Sequence, residues 1–405
     1  MLCILIFVAR MDYGRKALAL HKKLAGKIVV SPKIKVKSRD LLSTIYTPGV
    51  GTVSKTIGRN AKTVWEYTGR GNTVAIVSDG TAVLGLGNIG PEAGLPVMEG
   101  KAVLFSEFGN VNAYPLCIKA KTPDDIVVFV KSIVPSFGGI NLEDIAAPAC
   151  FEVEQKLEKI GIPVFHDDQD GSAIVVIAGL VNASRATGKK MRDLKIVIIG
   201  AGAAASATAW LLVGREKWNA QKKVNGIMPY DPPKDVILVD SRGIVDERRA
   251  DLNVWKKMLA AVTNHEKRKG GLEEALRGAD IVIGLSTGGK INPKQISLMN
   301  KNPIIFALAN PVPEIMPDEA RRAGAVLVAT GRSDFPNQVN NALVFPGMFR
   351  GLLDARAESV TTQNKLSAIE VLSKAVSPTK TNILPSVLDK KVHQNLALAV
   401  KRATS

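Results

Sequence analysis

The residues in this chain best suited to chemistry begin with Gly200, Ala201, Gly202, Ala203, Ala204 and Ala205, a GxGxxA pattern directly after the β-branched run 196–199. The glycines allow a tight turn and let the backbone approach a pyrophosphate, whose charge then lies at the N-terminus of the following helix. The pattern predicts a nicotinamide dinucleotide site, with residues 196–240 as its βαβ unit. Without a ligand it would be only a tight strand-to-helix turn. Asp240 ends the next strand, where a carboxylate accepts from ribose hydroxyls and favours NAD over the 2′-phosphate of NADP. It lies about 35 residues beyond Ala205 rather than the usual 20 or so, because a polar, proline-containing stretch, 216–234, intervenes. Arg242 is close enough in sequence to meet a 2′-phosphate. The expected cofactor is therefore NAD or NADP, with a lean to NAD.

Carboxylates form the next group. Glu143 and Asp144, and Asp167 and Asp168, are adjacent pairs in turns, with no Lys or Arg immediately beside either pair. Hard oxygen ligands of this kind suit Mg²⁺ or Mn²⁺. Paired acids also serve as solvated turns or helix caps.

The elements that must hold these groups follow from pattern. A chain of 405 residues fits two domains with a cleft between them. Strand-like 74–78, turn-rich 80–100, apolar 101–105 and strand-like 116–118 lead to helical spacing over 124–133. An acidic turn at 141–145 and an amphipathic helix over 151–160 follow, and Gly161 and Pro163 end the first unit. Ser172–Thr187 reads as a buried helix crossing between the domains. Beyond it strands (195–199, 236–239, 280–284, 304–307, 326–329) alternate with helices (203–213, 272–277, 318–323), before a helical tail over 352–375 and 388–403. That alternation predicts an α/β fold with a doubly wound parallel sheet. The expected division is 12–161 and 162–405.

Composition limits the alternatives. The net charge of +17 comes from scattered Lys and Arg, without the aromatic-interleaved basic stretch of a nucleic-acid surface; it would also steer a small polyanion into a cleft. Cys3, Cys117 and Cys150 have no pairing pattern, which points to a reducing compartment. The apolar opening of the chain lacks the n-region of a signal and is too short to span a bilayer. A cytoplasmic protein is expected, with no membrane and no nucleic acid among its partners. Met11 is a candidate start, which would make residues 1–10 an extension.

Read together, YTPGV from Tyr46, SDGTAVLGLGNIGP from Ser78, VMEGK ending at Lys101, EFGNVN from Glu107, EDIAAP from Glu143 and FHDDQ from Phe165 resemble malic enzyme in its compact bacterial and archaeal form. The resemblance runs from about residue 14 to the C-terminal region. It implies an N-terminal malic-enzyme domain and an NAD(P)-binding domain. The implied reaction is oxidative decarboxylation of L-malate to pyruvate and CO₂ with a divalent metal. It further implies Glu143, Asp144 and Asp168 as metal ligands, Lys101 as general base, Tyr46 as proton donor to C3, and Asp167 positioning the base. Asn310, Asn340 and Asn341 would hold the substrate carboxylate and the nicotinamide, and the protein would be a homodimer or larger homo-oligomer. Without the resemblance, Lys101 would read as an exposed strand-start lysine and Tyr46 as a packed turn aromatic.

Departures from the family pattern are Asp170 and Ser172, where prokaryotic relatives commonly have His and Thr, and Ala82, where animal-type members have a substrate-binding Arg. Alternatives are a malolactic or oxaloacetate-decarboxylating enzyme on the same scaffold. From a different class, a catalytically silent dinucleotide- or nucleic-acid-binding protein is the competing reading.

Overall fold

The computed structural model describes residues 13–404 except 84 and 225–226. The extension expected at residues 1–10 lies outside the described residues.

Hydrophobic, β-branched stretches build two sheets. The first contains β1 (Thr73–Ser78), β2 (Asn112–Cys117), β3 (Gly139–Leu142) and β4 (Val164–His166), all parallel in the order β2-β1-β3-β4. Every residue of β1 and β3 is buried, as expected of parallel strands covered on both faces. The sheet takes its edge strand from beyond Gly161, because residues 164–166 pair with β3.

A small antiparallel hairpin, β6 (Arg215–Glu216) with β7 (Asn219–Lys223), occupies much of the polar insertion. The second sheet contains β5 (Lys195–Ile199), β8 (Asp235–Asp240), β9 (Gly243–Ile244), β10 (Ile281–Gly284), β11 (Ile304–Ala307) and β12 (Leu327–Thr330), in the order β12-β11-β10-β5-β8-β9. All neighbours are parallel except β9, which turns back from Asp240 through Gly243 to pair antiparallel with β8. Strand order reverses between β5 and β10, which opens a crevice at their carboxyl ends, where ligands bind in such sheets.

The Ser172–Thr187 helix is the apolar spine between the sheets. Residues 173–184 are all buried, and its side chains share one core with β1, β5 and the helices Phe345–Asp354 and Thr362–Lys374. Gly188 in the left-handed region caps it.

The structure departs from expectation around Lys101. The stretch 80–100 is not turn throughout, and Lys101 does not start a strand: residues 90–100 and Lys101 belong to a helix, Gly90–Gly109. Its glycines and internal Pro96 disguise the helical spacing. Among the described residues no helix is long and apolar enough to cross a membrane.

Candidate active site

The site forms where the loops after β1, β3 and β4 meet the crevice of the second sheet. After β3, Asp144 adopts a positive φ of 53°, a conformation that a short polar side chain tolerates. After β4, residues Asp167–Gly171 form a single π-helical turn leading into the spine helix. Such turns re-aim side chains and recur at functional sites. A Cβ on Gly171 would overlap the Asp167 carboxylate, so this turn requires glycine there.

These loops bring Glu143, Asp144 and Asp168 together, with one oxygen from each within 4.8 Å of the others. The Asp144 backbone N–H donates to Asp168 Oδ2 at 2.7 Å, and Asn141 Nδ2 donates to Glu143 Oε2 at 3.1 Å. Asp144 Oδ2 is buried and has no hydrogen-bond partner. A buried, under-satisfied set of carboxylates is costly by itself and fits a hard divalent cation.

Lys101 is buried, and its Nζ lies 2.5 Å from both Asp167 Oδ2 and Glu143 Oε2, over the Phe345 ring at 4.4 Å from its centroid. Burial works against the ammonium, but the charges of Asp167, Glu143 and Asp168 outweigh it and raise the pKa of Lys101 above its ordinary value. The pKa values of the acids rise as well, which for a carboxyl favours the neutral form. Burial and then the Glu143 charge push Asp144 up to about 7. Asp167 also reaches about 7 through burial, with Lys101 opposing. Asp168 is raised well above the carboxylate range by burial and by Glu143 and Asp144.

A cavity of ≈ 860 Å³ connects this centre with the rest of the expected site. Asp168, Gly202, Ala203, Ala204, Asn310, Asn340 and Asn341 all line it. Gly200 has φ +121°, and a Cβ there would lie 2.6 Å from the Leu285 carbonyl, while the space beside Gly202 is open. The Ala203–Leu212 helix starts at this turn with no side-chain cap. Its first N–H groups are therefore available to an anion. Asn340 also accepts from the Ala342 N–H at 2.9 Å, capping a short turn. Ala201 is half-buried beside the cavity. Asp240 and Arg242 line an adjoining cavity of ≈ 920 Å³, which shares Ser286 and Thr287 with the first. Tyr46 stands apart, 68% exposed at the end of the Arg39–Ile45 helix.

Profiles of the malic enzyme N-terminal domain and of the malic enzyme NAD-binding domain match residues 25–158 and 169–404. The chain belongs to the malic enzyme family. It is 46% identical over 398 residues to a bifunctional malic/malolactic enzyme of Bacillus subtilis, spanning 97% of this chain and 93% of that one. An NAD-dependent malic enzyme of Geobacillus stearothermophilus is 45% identical, over 94% of this chain and 77% of its own. The crystal structure of an NAD-dependent malic enzyme from Thermotoga maritima superposes with a TM-score of 0.88 at 46% identity, covering 95% of this chain and 98% of the other.

Against the malic enzyme pattern, sequence reasoning missed two features. His166 is completely buried with neither ring nitrogen hydrogen-bonded. Burial pushes its imidazole down to about 3, so it sits neutral behind Asp168. The other feature is a buried ion network. Asp170, one of the departures from the family pattern, is bound by Lys365 at 2.7 Å and by Lys217 at 3.3 Å. Lys217 also meets both oxygens of Glu154, at 2.6 and 2.8 Å. It lies in the β6–β7 connection, so the insertion that displaced Asp240 in sequence supplies this cation. Its signal was one lysine in a polar stretch, which no short-range pattern distinguishes.

Proposed function

We propose that this chain oxidises and decarboxylates L-malate to pyruvate and CO₂, passing the C2 hydride to NAD or NADP in the presence of Mg²⁺ or Mn²⁺. The observation that carries this reading is the contact of Lys101 with Glu143 and Asp167 beside the Glu143, Asp144 and Asp168 cluster, whose Asp168 lines a cavity shared with the Gly202–Ala204 turn. Relatives that bear the names NAD-dependent and NADP-dependent malic enzyme support it.

Glu143, Asp144 and Asp168 would hold the cation. When bound, it supplies Lewis-acid polarisation of the C2 oxygen and offsets the carboxylate charge that keeps Lys101 protonated. Lys101 then takes the C2 hydroxyl proton as the C2 hydride departs, and Asp167 fixes the position of its Nζ. The C3–C4 bond breaks, the bonding electrons pass into an enolate, and CO₂ leaves. Tyr46 returns a proton to C3. Asn310, Asn340 and Asn341 bind carboxylate and carboxamide groups through neutral amides that add no charge.

Tyr46 leads to the oligomer. The helices Tyr13–Leu24, Arg39–Ile45 and Val50–Arg59 contain no buried residue, yet expose Leu18, Leu20, Leu42 and Val53 with Tyr46. Apolar faces of this kind mark an interaction surface. We therefore read the protein as a homodimer in which this arm covers the second copy and brings Tyr46 to its cleft.

Absorbance of the reduced cofactor with malate and Mn²⁺, using NAD and NADP separately, tests the reaction. Wild type should turn over and Lys101→Ala should lose about 10²–10⁴-fold in kcat. No malate-dependent signal with either cofactor sinks the reading. Mixing Tyr46→Phe with Lys101→Ala after dissociation tests the arm, because each heterodimer regains one intact site of two, so that a random equimolar mixture recovers about a quarter of the wild-type activity. No recovery from proven heterodimers refutes it. Lactate as product would favour the malolactic alternative, a reading kept open by the bifunctional relative.

A further inference from the structure

Asp240 occupies the place from which a carboxylate discriminates NAD from NADP, but its acceptor sites are already used. Oδ1 accepts from the Arg242 backbone N–H at 2.9 Å and from Arg249 Nη1 at 2.8 Å. Oδ2 accepts from Arg249 Nη2 at 3.2 Å and from Lys256 Nζ at 2.6 Å. A carboxylate offers about four lone-pair sites, and its side chain here is only 6% exposed. Burial opposes its charge, yet the hydrogen bonds from Arg249, Lys256 and the Arg242 backbone hold the carboxyl below its ordinary value. A ribose hydroxyl could reach it only by displacing an arginine or lysine from an ion pair. The feature that favoured NAD in the sequence is thus neutralised within the fold.

The surrounding cavity has the opposite bias. Asp240 and Asp246 are the acids of its lining, against Arg242, Arg248, Lys269 and Lys290 with Arg249. Asp246 is itself held by Arg248 at 2.5 and 2.7 Å. The Arg242 side chain is 70% exposed, and its guanidinium pairs with Asp251 at 3.1 Å. Lys269 and Lys290 are exposed and form no ion pair among the described residues. Ser241 lines the same wall. The diphosphate of a bound dinucleotide belongs at the Gly200–Ala205 turn, in the neighbouring cavity. NAD would therefore present only a neutral adenosine to this excess of cations. A 2′-phosphate, with about −1.5 to −2 charge at pH 7 as a phosphomonoester, would match it.

We propose that this cavity is a 2′-phosphate subsite with Arg242 as its specificity-determining residue, so that the chain takes NADP in preference to NAD. This reverses the sequence-based lean to NAD and rests on the dinucleotide reading of the Gly200–Ala205 turn. It does not rest on malate chemistry, and its test is chosen accordingly.

Calorimetric titration of the full chain, without malate or metal, compares adenosine 2′,5′-bisphosphate with adenosine 5′-monophosphate. Wild type should bind the bisphosphate at least about tenfold more tightly, the worth of one charge-assisted hydrogen bond. Arg242→Gln should lower that ratio about tenfold and leave the monophosphate unchanged. High salt should narrow the wild-type ratio. The ratio of kcat/KM for NADP to that for NAD should fall in the same variant. Equal wild-type affinity for the two nucleotides overturns the proposal, and so does a ratio that Arg242→Gln leaves unchanged. Loss of malate turnover with both dinucleotides, alongside a selective titration, would refute the reaction and leave the subsite standing.

Discussion

On one side of the turn Asp167–Gly171, the carboxylates of Glu143, Asp144, Asp167 and Asp168 have one ammonium among them, Lys101. On the other side, Asp170 and Glu154 have two, Lys217 and Lys365. Burial raises acid pKa values on both sides, and the partners decide the outcome. Asp170 falls well below the carboxylate range because Lys217 and Lys365 outweigh its burial, whereas Asp144 and Asp167 rise to about 7. A few residues of chain thus separate acids matched one for one by lysines from acids that share a single lysine. The first kind anchors the turn to the Ala149–Leu157 helix, the β6–β7 hairpin and the C-terminal helices. The second kind reaches the cavity through Asp168. A shortage of positive charge in one place, beside full compensation next to it, is what a site awaiting a divalent cation requires.

The largest expected effect comes from breaking the balanced side. Lys217→Met removes a buried cation and leaves Glu154 without its partner, so stability should fall by roughly 3–5 kcal/mol. Denaturant unfolding measures this directly. A loss below about 1 kcal/mol would mean that the network adjusts by protonating Glu154, whose carboxyl burial already raises, and the contrast between the two sides would be weaker than described.

Asp168→Asn sharpens the other side, with the opposite sign. Removing a carboxylate from the uncompensated cluster relieves like-charge repulsion, so the metal-free variant should be at least as stable as wild type. In return it should lose the stabilisation conferred by Mn²⁺, about 2.7 kcal/mol at a hundredfold excess over Kd. Thermal unfolding with EDTA and with Mn²⁺ reads both effects. A variant still stabilised by Mn²⁺ to the wild-type extent would remove Asp168 from the ligand set.

Much of this arrangement was legible because strand and turn signals are local. The spine helix Ser172–Thr187 and strands β5 and β11 fall where apolar runs and flanking breakers put them. Gly200 and Gly202 likewise declare a turn that only glycine accommodates at its first position. Lys101 was harder to read, since the glycines and Pro96 of its helix mask the period and only the family resemblance marked it as chemical. Nothing in the sequence showed that Asp240 would be enclosed by Arg249 and Lys256, or that Asp170 would meet Lys217 and Lys365. Each of those pairings is set by how separate elements pack, and charge pairing at long range has no sequence period to follow.

The effect that most directly compares the two sides needs no mutation. Asp144 faces Glu143, Asp167, Asp168 and Asp79, with Lys101 as its one cation, and its carboxyl is raised to about 7. A carboxyl raised in the folded state binds a proton that the unfolded chain has already lost. Between the ordinary carboxylate range, about 4, and about 7 the folded protein therefore holds more protons, and stability falls as pH rises. The slope is on the order of 1 kcal/mol per pH unit for each such group. Above 7 that contribution is gone. Asp170 contributes oppositely: its stabilisation is present above the ordinary carboxylate pKa and is lost only in strong acid. Mn²⁺ competes with the proton at Asp144, so its affinity should climb as pH rises through about 7 and its binding should release protons. The gap in unfolding temperature between Mn²⁺ and EDTA should consequently widen from about pH 6 to about pH 8. A gap that stays constant over that range would place the titrating carboxyls outside the metal centre, and the two sides of the turn would no longer differ in the way their charges imply.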